Sequence, residues 1–118
     1  MKTISQLQQE IVDRSLQAFR AGLFTGTSGN MSCYLREEGK MLITPTSVRY
    51  EELQPKQVVV MQLDGTVLSG PIQPSSEWRM HAAIYEAMPE VNATVSTAPS
   101  RLETVSSSCS LVGLVRRV

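Results

Sequence analysis

The chain has 118 residues, enough for one domain with one core, and 42% hydrophobic against 19% charged residues is the usual balance of a folded globular protein. Eleven basic residues offset eleven acidic ones, so no net field recruits nucleic acid or an anionic membrane surface. The opening "MKTISQLQQEIVDRSLQAFRAG" is broken by charges, which excludes a signal-peptide core or bilayer span in that segment and predicts a cytoplasmic protein.

In that opening segment Ile4, Leu7, Ile11, Val12, Leu16, Ala18 and Phe19 recur at helical spacing, and Gly22 is placed to end the helix in a left-handed conformation. "NMSCYLREEGKMLITPT" alternates apolar and polar residues around a Glu-Gly turn, which predicts a hairpin ending at Pro45. "SVRYEELQPKQ" reads as a short helical turn closed by Pro55. "VVVMQLDGTVLSG" is a second hairpin turning at Asp64-Gly65, with the run Val58 to Met61 buried. Ser75 or Ser76 caps a helix through "EWRMHAAIYEAM" that ends before Pro89 and puts Trp78, Ala82 and Tyr85 on one face. "VNATVST" follows as a strand. The tail "SRLETVSSSCSLVGLVRRV" starts with helical character and ends on an apolar run that also suits a final strand. Cys33 and Cys109 have neither CxxC spacing nor a dense framework and read as ordinary thiols. This order of elements predicts an α/β or α+β domain with a mixed sheet and helices packed on it.

Three short stretches have the chemistry of anion sites. "GTSGN", Gly26 to Asn30, has two glycines that let successive N–H groups converge, with side-chain donors from Thr27, Ser28 and Asn30; a plain turn has the same composition. "TPTS", Thr44 to Ser47, brings the Thr46 and Ser47 hydroxyls next to a proline turn, which is equally a local turn motif. "PSSEW", Pro74 to Trp78, puts Ser75 and Ser76 at a helix N-terminus, where unpaired amides attract either a phosphate or a capping side chain. Glu77 adds a carboxylate suited to moving protons next to a bound phosphate. His81, four residues on, makes an ExxxH pair that suits metal binding, yet it is the one histidine of the chain, which favours a structural or supporting role.

In this order, "GTSGN", "ITPT" and "PSSEWRMH" resemble the class II aldolase/adducin family, particularly its L-fuculose-phosphate aldolase-like members, from the first helix to about Ser106. The resemblance implies a three-layer α/β/α fold with a central mixed, largely antiparallel sheet, a homotetrameric or other homo-oligomeric assembly, and zinc-assisted cleavage of a ketose 1-phosphate such as fuculose 1-phosphate to dihydroxyacetone phosphate and an aldehyde. It assigns phosphate or substrate binding to Thr27, Gly29, Asn30, Thr46, Ser47, Ser75 and Ser76, and an acid/base role to Glu77, which by family analogy also approaches the metal. Ser47 stands where a glycine is often found. Glu77 followed by Trp78 favours aldolases over the related ribulose-phosphate 4-epimerases, which typically carry aspartate after the serines.

The chain departs from the family at the metal. Where the family has an H-x-H pair on a strand, with both imidazoles on one face, this sequence has Ser96-Thr97-Ala98, in a register that lets "ETVS", Glu103 to Ser106, keep step with the family's following helix. A hydroxyl and a methyl group do not replace two imidazoles. The family's third histidine, active-site tyrosine and C-terminal helices have no counterpart before Val118. The resemblance therefore implies a single domain over residues 1–118 that is truncated on its C-terminal side, does not retain zinc and is impaired as a lyase; the alternative is a non-catalytic adducin-like binding or oligomerisation module, or a relic.

Overall fold

The computed structural model describes residues 2–24, 28–97, 101–105 and 116–117, the last two stretches as strand backbone. Helix α1, Ile4–Arg20, starts at a capping box in which Thr3 Oγ1 accepts from the Gln6 amide and the Gln6 side chain accepts from the Thr3 amide. It stops at Gly22, whose φ of 82° lets the Gly22 and Leu23 amides fold back onto the carbonyls of Phe19 and Ala18.

Seven strands follow the chain as β1 Asn30–Leu35, β2 Lys40–Ile43, β3 Val59–Met61, β4 Val67–Ser69, β5 Ala93–Thr97, β6 Arg101–Val105 and β7 Arg116–Arg117. They form one sheet in the order β4-β3-β2-β1-β5-β6-β7, and every ladder between neighbours is antiparallel. Helix α2, Trp78–Ala87, enters between β4 and β5. No helix among the described residues is long and apolar enough to cross a membrane.

Period-two alternation in the central strands builds a core on each face of the sheet. Met31 and Cys33 of β1, Leu42 of β2, Val60 of β3 and Ala93 and Val95 of β5 pack with Leu7, Ile11 and Val12 of α1. Met41 and Ile43 of β2 and Val59 and Met61 of β3 face the other way, onto Ala82 and Tyr85 of α2. The result is the expected three-layer arrangement, with α1 and α2 on opposite faces. Burying each such Leu, Ile, Val or Met side chain stabilises the fold by about 1.5–3 kcal/mol before entropy is counted.

Two devices hold α2 in place. At its start the β3–β4 hairpin turn lies so close that a Cβ on Gly65 would sit 2.9 Å from the Trp78 ring. At its end Arg36, in the β1–β2 turn, donates to the carbonyls of Tyr85, Met88 and Val91 at 3.1, 3.3 and 2.7 Å, supplying cations where the helix has unpaired acceptors.

Three expectations need correction. "ETVS" does not continue a helix: residues 101–105 are β6, whose pairing covers the edge of β5 and whose Thr104 and Val105 are β-branched. Pro55 opens a 3₁₀ turn, Pro55–Gln57, rather than closing one, since proline fits a first helical position where its missing N–H costs nothing. Helix α2 starts at Trp78 with Glu77 in the cap position, two residues later than a Ser75 cap requires; no side chain caps it, the Trp78 amide donating to the Ser75 carbonyl at 3.0 Å and the Met80 and His81 amides to the Glu77 carbonyl at 3.0 and 3.4 Å.

Replacing Arg36 by Ala is expected to lower stability by about 1.5 kcal/mol through loss of these charged bonds, measured by urea unfolding. A change under a few tenths would show that α2 does not depend on them.

Candidate functional site

The middle strand of a sheet covered on both faces buries its first four residues, yet β1 begins Asn-Met-Ser. Asn30 and Ser32 point to the α2 side, opposite Met31 and Cys33, and are 3% and 0% exposed. Burial of such groups without partners costs several kcal/mol by order of magnitude, so the facing helix has to supply the bonds. It does so from residues spaced by four. Asn30 Nδ2 donates to Glu77 Oε1 at 2.6 Å. Asn30 Oδ1 bonds His81 Nε2, His81 Nδ1 meets Ser32 Oγ at 2.6 Å, and Ser32 Oγ meets Tyr85 OH at 2.6 Å. His81 and Tyr85 are fully buried, whereas Glu77 is exposed at the open end of this chain of contacts.

Two further loops meet at that end. Pro45 and Pro74 form an antiparallel bridge, with the Thr46 amide donating to Gln73 O at 2.9 Å and the Ser75 amide to Thr44 O at 3.0 Å. Thr44 in turn exchanges bonds with Met31: its amide donates to Met31 O at 3.0 Å and its Oγ1 accepts from Met31 N at 3.1 Å. "TPTS" and "PSSE" are thus joined to each other and to the start of β1. Thr46 is half-buried, Ser47 and Ser76 are exposed, and Ser75 is buried with its Oγ accepting from the Glu77 amide at 3.3 Å.

The backbone of these loops takes a left-handed conformation at two places. Gly29 has φ of 84°, and a Cβ there would lie 2.3 Å from the Phe24 ring, so only glycine fits. Its carbonyl accepts from Tyr50 OH at 2.6 Å; Tyr50 stacks on Phe24 with ring centroids 4.7 Å apart, and burial pushes the Tyr50 hydroxyl well above its ordinary range. Ser47 has φ of 60°, the one non-glycine residue with positive φ among the described residues. The serine therefore keeps the turn that a glycine makes without strain, at a cost of about 1–2 kcal/mol.

Thr27 and Ala98 lie outside the described residues. Ser96 pairs with Asn30 across the β1–β5 ladder and is 5% exposed, so it faces α2 alongside Asn30 and Ser32. For zinc, this face has Ser96 as a hydroxyl, Glu77 with one oxygen already accepting from Asn30, and His81 with both ring nitrogens engaged. Among the described residues no three His, Cys, Asp or Glu side chains cluster closely enough to hold a metal ion. This donor set does not fit zinc.

Ser32, Tyr85 and Tyr50 were not singled out from the sequence as site residues. A signal for the first two existed: Glu77, His81 and Tyr85 repeat every four residues along one helix face, and Asn30 and Ser32 every two along one strand face. Tyr50 has no such signal, because its bond to Gly29 depends on how a loop crosses the fold.

The family model "Class II Aldolase and Adducin N-terminal domain" matches residues 9–113. The chain is 42% identical over 91 residues to the L-fuculose phosphate aldolase of Escherichia coli (strain K12), covering 77% of this chain and 41% of that one. It is 36% identical over 94 residues to the L-ribulose-5-phosphate 4-epimerase UlaF of Salmonella paratyphi B, covering 80% and 41%. A solved L-fuculose 1-phosphate aldolase superposes with a TM-score of 0.76 at 33% identity, over 83% of this chain and 47% of that structure. The chain spans less than half the length of these relatives.

Burial lowers the pKa of His81 from the ordinary 6.5 to about 4. As pH falls, the unfolded chain takes up this proton before the native one does. The native state should therefore lose on the order of 3 kcal/mol between 6.5 and about 4 and nothing from this group above that window. In urea unfolding across this range, His81→Gln should show a shallower decline than the unmutated protein. Identical slopes would mean that His81 is not held neutral by its surroundings.

Proposed function

From a chain that belongs to the class II aldolase and adducin family, we propose a sugar-phosphate-binding protein of the aldolase line, whose ligand is a ketose 1-phosphate or dihydroxyacetone phosphate and whose carbon–carbon lyase step is impaired. The observation that carries this reading is the convergence of the Asn30, Thr44–Ser47 and Ser75–Glu77 segments through the Pro45–Pro74 bridge and the Asn30–Glu77 bond. Gly29 and Ser47 turn the backbone with positive φ, and Thr46, Ser47 and Ser76 carry hydroxyls in these segments, a donor-rich composition for a phosphate. Thr27 and Ser75 complete the binding set proposed for this chain.

Glu77 is the acid/base candidate. Its carboxylate is exposed and one oxygen accepts from Asn30, which leaves the other available to a ligand hydroxyl. Asn30 orients it, the loop turns at Gly29 and Ser47 bind, and the buried face behind excludes water. Zinc would supply Lewis-acid polarisation of a ketose carbonyl, but the hydroxyl of Ser96 and the methyl of Ala98 give it no cage. The similarity to both an aldolase and a 4-epimerase supports sugar phosphates as the ligand class, and glutamate rather than aspartate at position 77 favours the aldolase side.

A second reading, a binding or oligomerisation module of the adducin kind, is favoured by the same serine on the inner face, since binding needs no metal. In either case we expect a homo-oligomer, with the tetramer of the family as the reference assembly.

Metal analysis of the purified protein should give far less than one zinc per chain, and dihydroxyacetone phosphate or phosphoglycolate should raise its melting temperature; a ligand at one hundred times Kd stabilises by about 2.7 kcal/mol. One tightly bound zinc per chain contradicts the impaired reading. No thermal shift at millimolar ligand removes the phosphate site.

A further inference from the structure

The polar contacts between β1 and α2 have a direction that can be deduced from which atoms donate. A carboxylate only accepts, so the Asn30 atom 2.6 Å from Glu77 Oε1 is the amide nitrogen, and the carbonyl Oδ1 is left facing His81. An acceptor there requires a proton on Nε2. His81 is neutral in this buried setting, so a proton on Nε2 leaves Nδ1 bare. A bare Nδ1 accepts from the Ser32 hydroxyl, and with its proton spent on His81, Ser32 Oγ accepts from Tyr85 O–H. Across the β1–β5 ladder the Thr94 hydroxyl has no partner among the described residues, which agrees with a Ser32 proton committed to the ring and not shared sideways.

We propose that Tyr85, Ser32 and His81 are positioning residues: a one-way hydrogen-bond relay, Tyr85 to Ser32 to His81 to Asn30 to Glu77, that locks the Asn30 amide with its NH2 toward the carboxylate. An amide flipped by 180° would set Oδ1 against the carboxylate and Nδ2 against Nε2–H, losing both bonds at once. Each bond in such a chain polarises the next, by about 10–30% per bond, so the polarisation accumulates toward Glu77. The relay explains why four buried polar side chains, Asn30 and Ser32 on the α2 face of β1 and His81 and Tyr85 on the facing stripe of the helix, stand where apolar residues would otherwise fill the layer. The link from Asn30 to a phosphorylated ligand rests on the function proposed above; the direction of the relay does not.

His81 is the one histidine in the chain, so its ring nitrogens can be read without assignment ambiguity. On the 118-residue chain near neutral pH, ¹⁵N NMR should show a protonated Nε2 and a bare Nδ1. The reverse tautomer, or an imidazolium, overturns the relay. The second arm compares phosphoglycolate affinity in two variants whose folding is checked by the dispersion of their amide spectra. His81→Gln retains an N–H for Asn30 Oδ1 and should bind within about twofold of the unmutated protein, while His81→Leu frees the amide to rotate and should bind about tenfold more weakly. Equal affinities for Leu and Gln overturn the positioning role even if the tautomer is as expected. Should the unmutated protein bind no phosphoglycolate, the proposed function fails on its own, and the tautomer still decides the relay.

Discussion

The structure depends on how the central strand is buried. Strand β1 lies between β2 and β5 with a helix layer over each face, so the side chains of its first four residues, Asn30 to Cys33, are buried on both faces. On the α1 side it meets that constraint with Met31 and Cys33. On the α2 side it carries Asn30 and Ser32, and the constraint passes to α2, which must present a carboxylate, an imidazole and a phenol at a spacing of four. The register of the helix against the sheet is thereby tied to polar atoms, which tolerate a shift of a few tenths of an ångström far less than apolar contacts do. Arg36 and the Gly65 turn then hold the two ends of the same helix.

This coupling places Glu77 at the open end of these contacts and the serine loop beside it. The loops that meet there are joined by backbone bonds, Thr46 to Gln73 and Ser75 to Thr44, so their mutual position does not rest on flexible side chains. Ser47 holds a left-handed turn that glycine makes without strain. A serine in a glycine position keeps the left-handed turn because the surrounding bonds over-determine it, and the local strain is small compared with the bonds the turn preserves. Ser96 is the opposite case. It keeps its place in the ladder opposite Asn30, yet the chemistry of its side chain is unsuited to zinc.

Much of this was legible in the sequence, for identifiable reasons. Both helices, both hairpins and the strand Ala93–Thr97 follow from periodicity and turn residues, and the order of the three loop motifs pointed to the family that the comparison with known proteins bears out. Local rules misread elements governed by non-local partners. Residues 101–105 carry helical character alone, but the open edge of β5 makes a strand of them. Ser75 has the composition of a helix cap, but the bridge between Pro45 and Pro74 engages its amide and delays the helix to Trp78. The Ser32–His81–Tyr85 contacts required knowing that one strand face meets one helix face, which neither period reveals by itself.

The proposed anion site needs no metal, since its donors are hydroxyls and backbone amides. Calorimetric titration of the protein with phosphoglycolate, in the presence and absence of a strong zinc chelator, tests it most directly. Binding with the same affinity under both conditions is the expected result. Binding that disappears with chelator and returns with added zinc would contradict it, because the ligand would then be held through a metal that Ser96 and its neighbours have no means to retain.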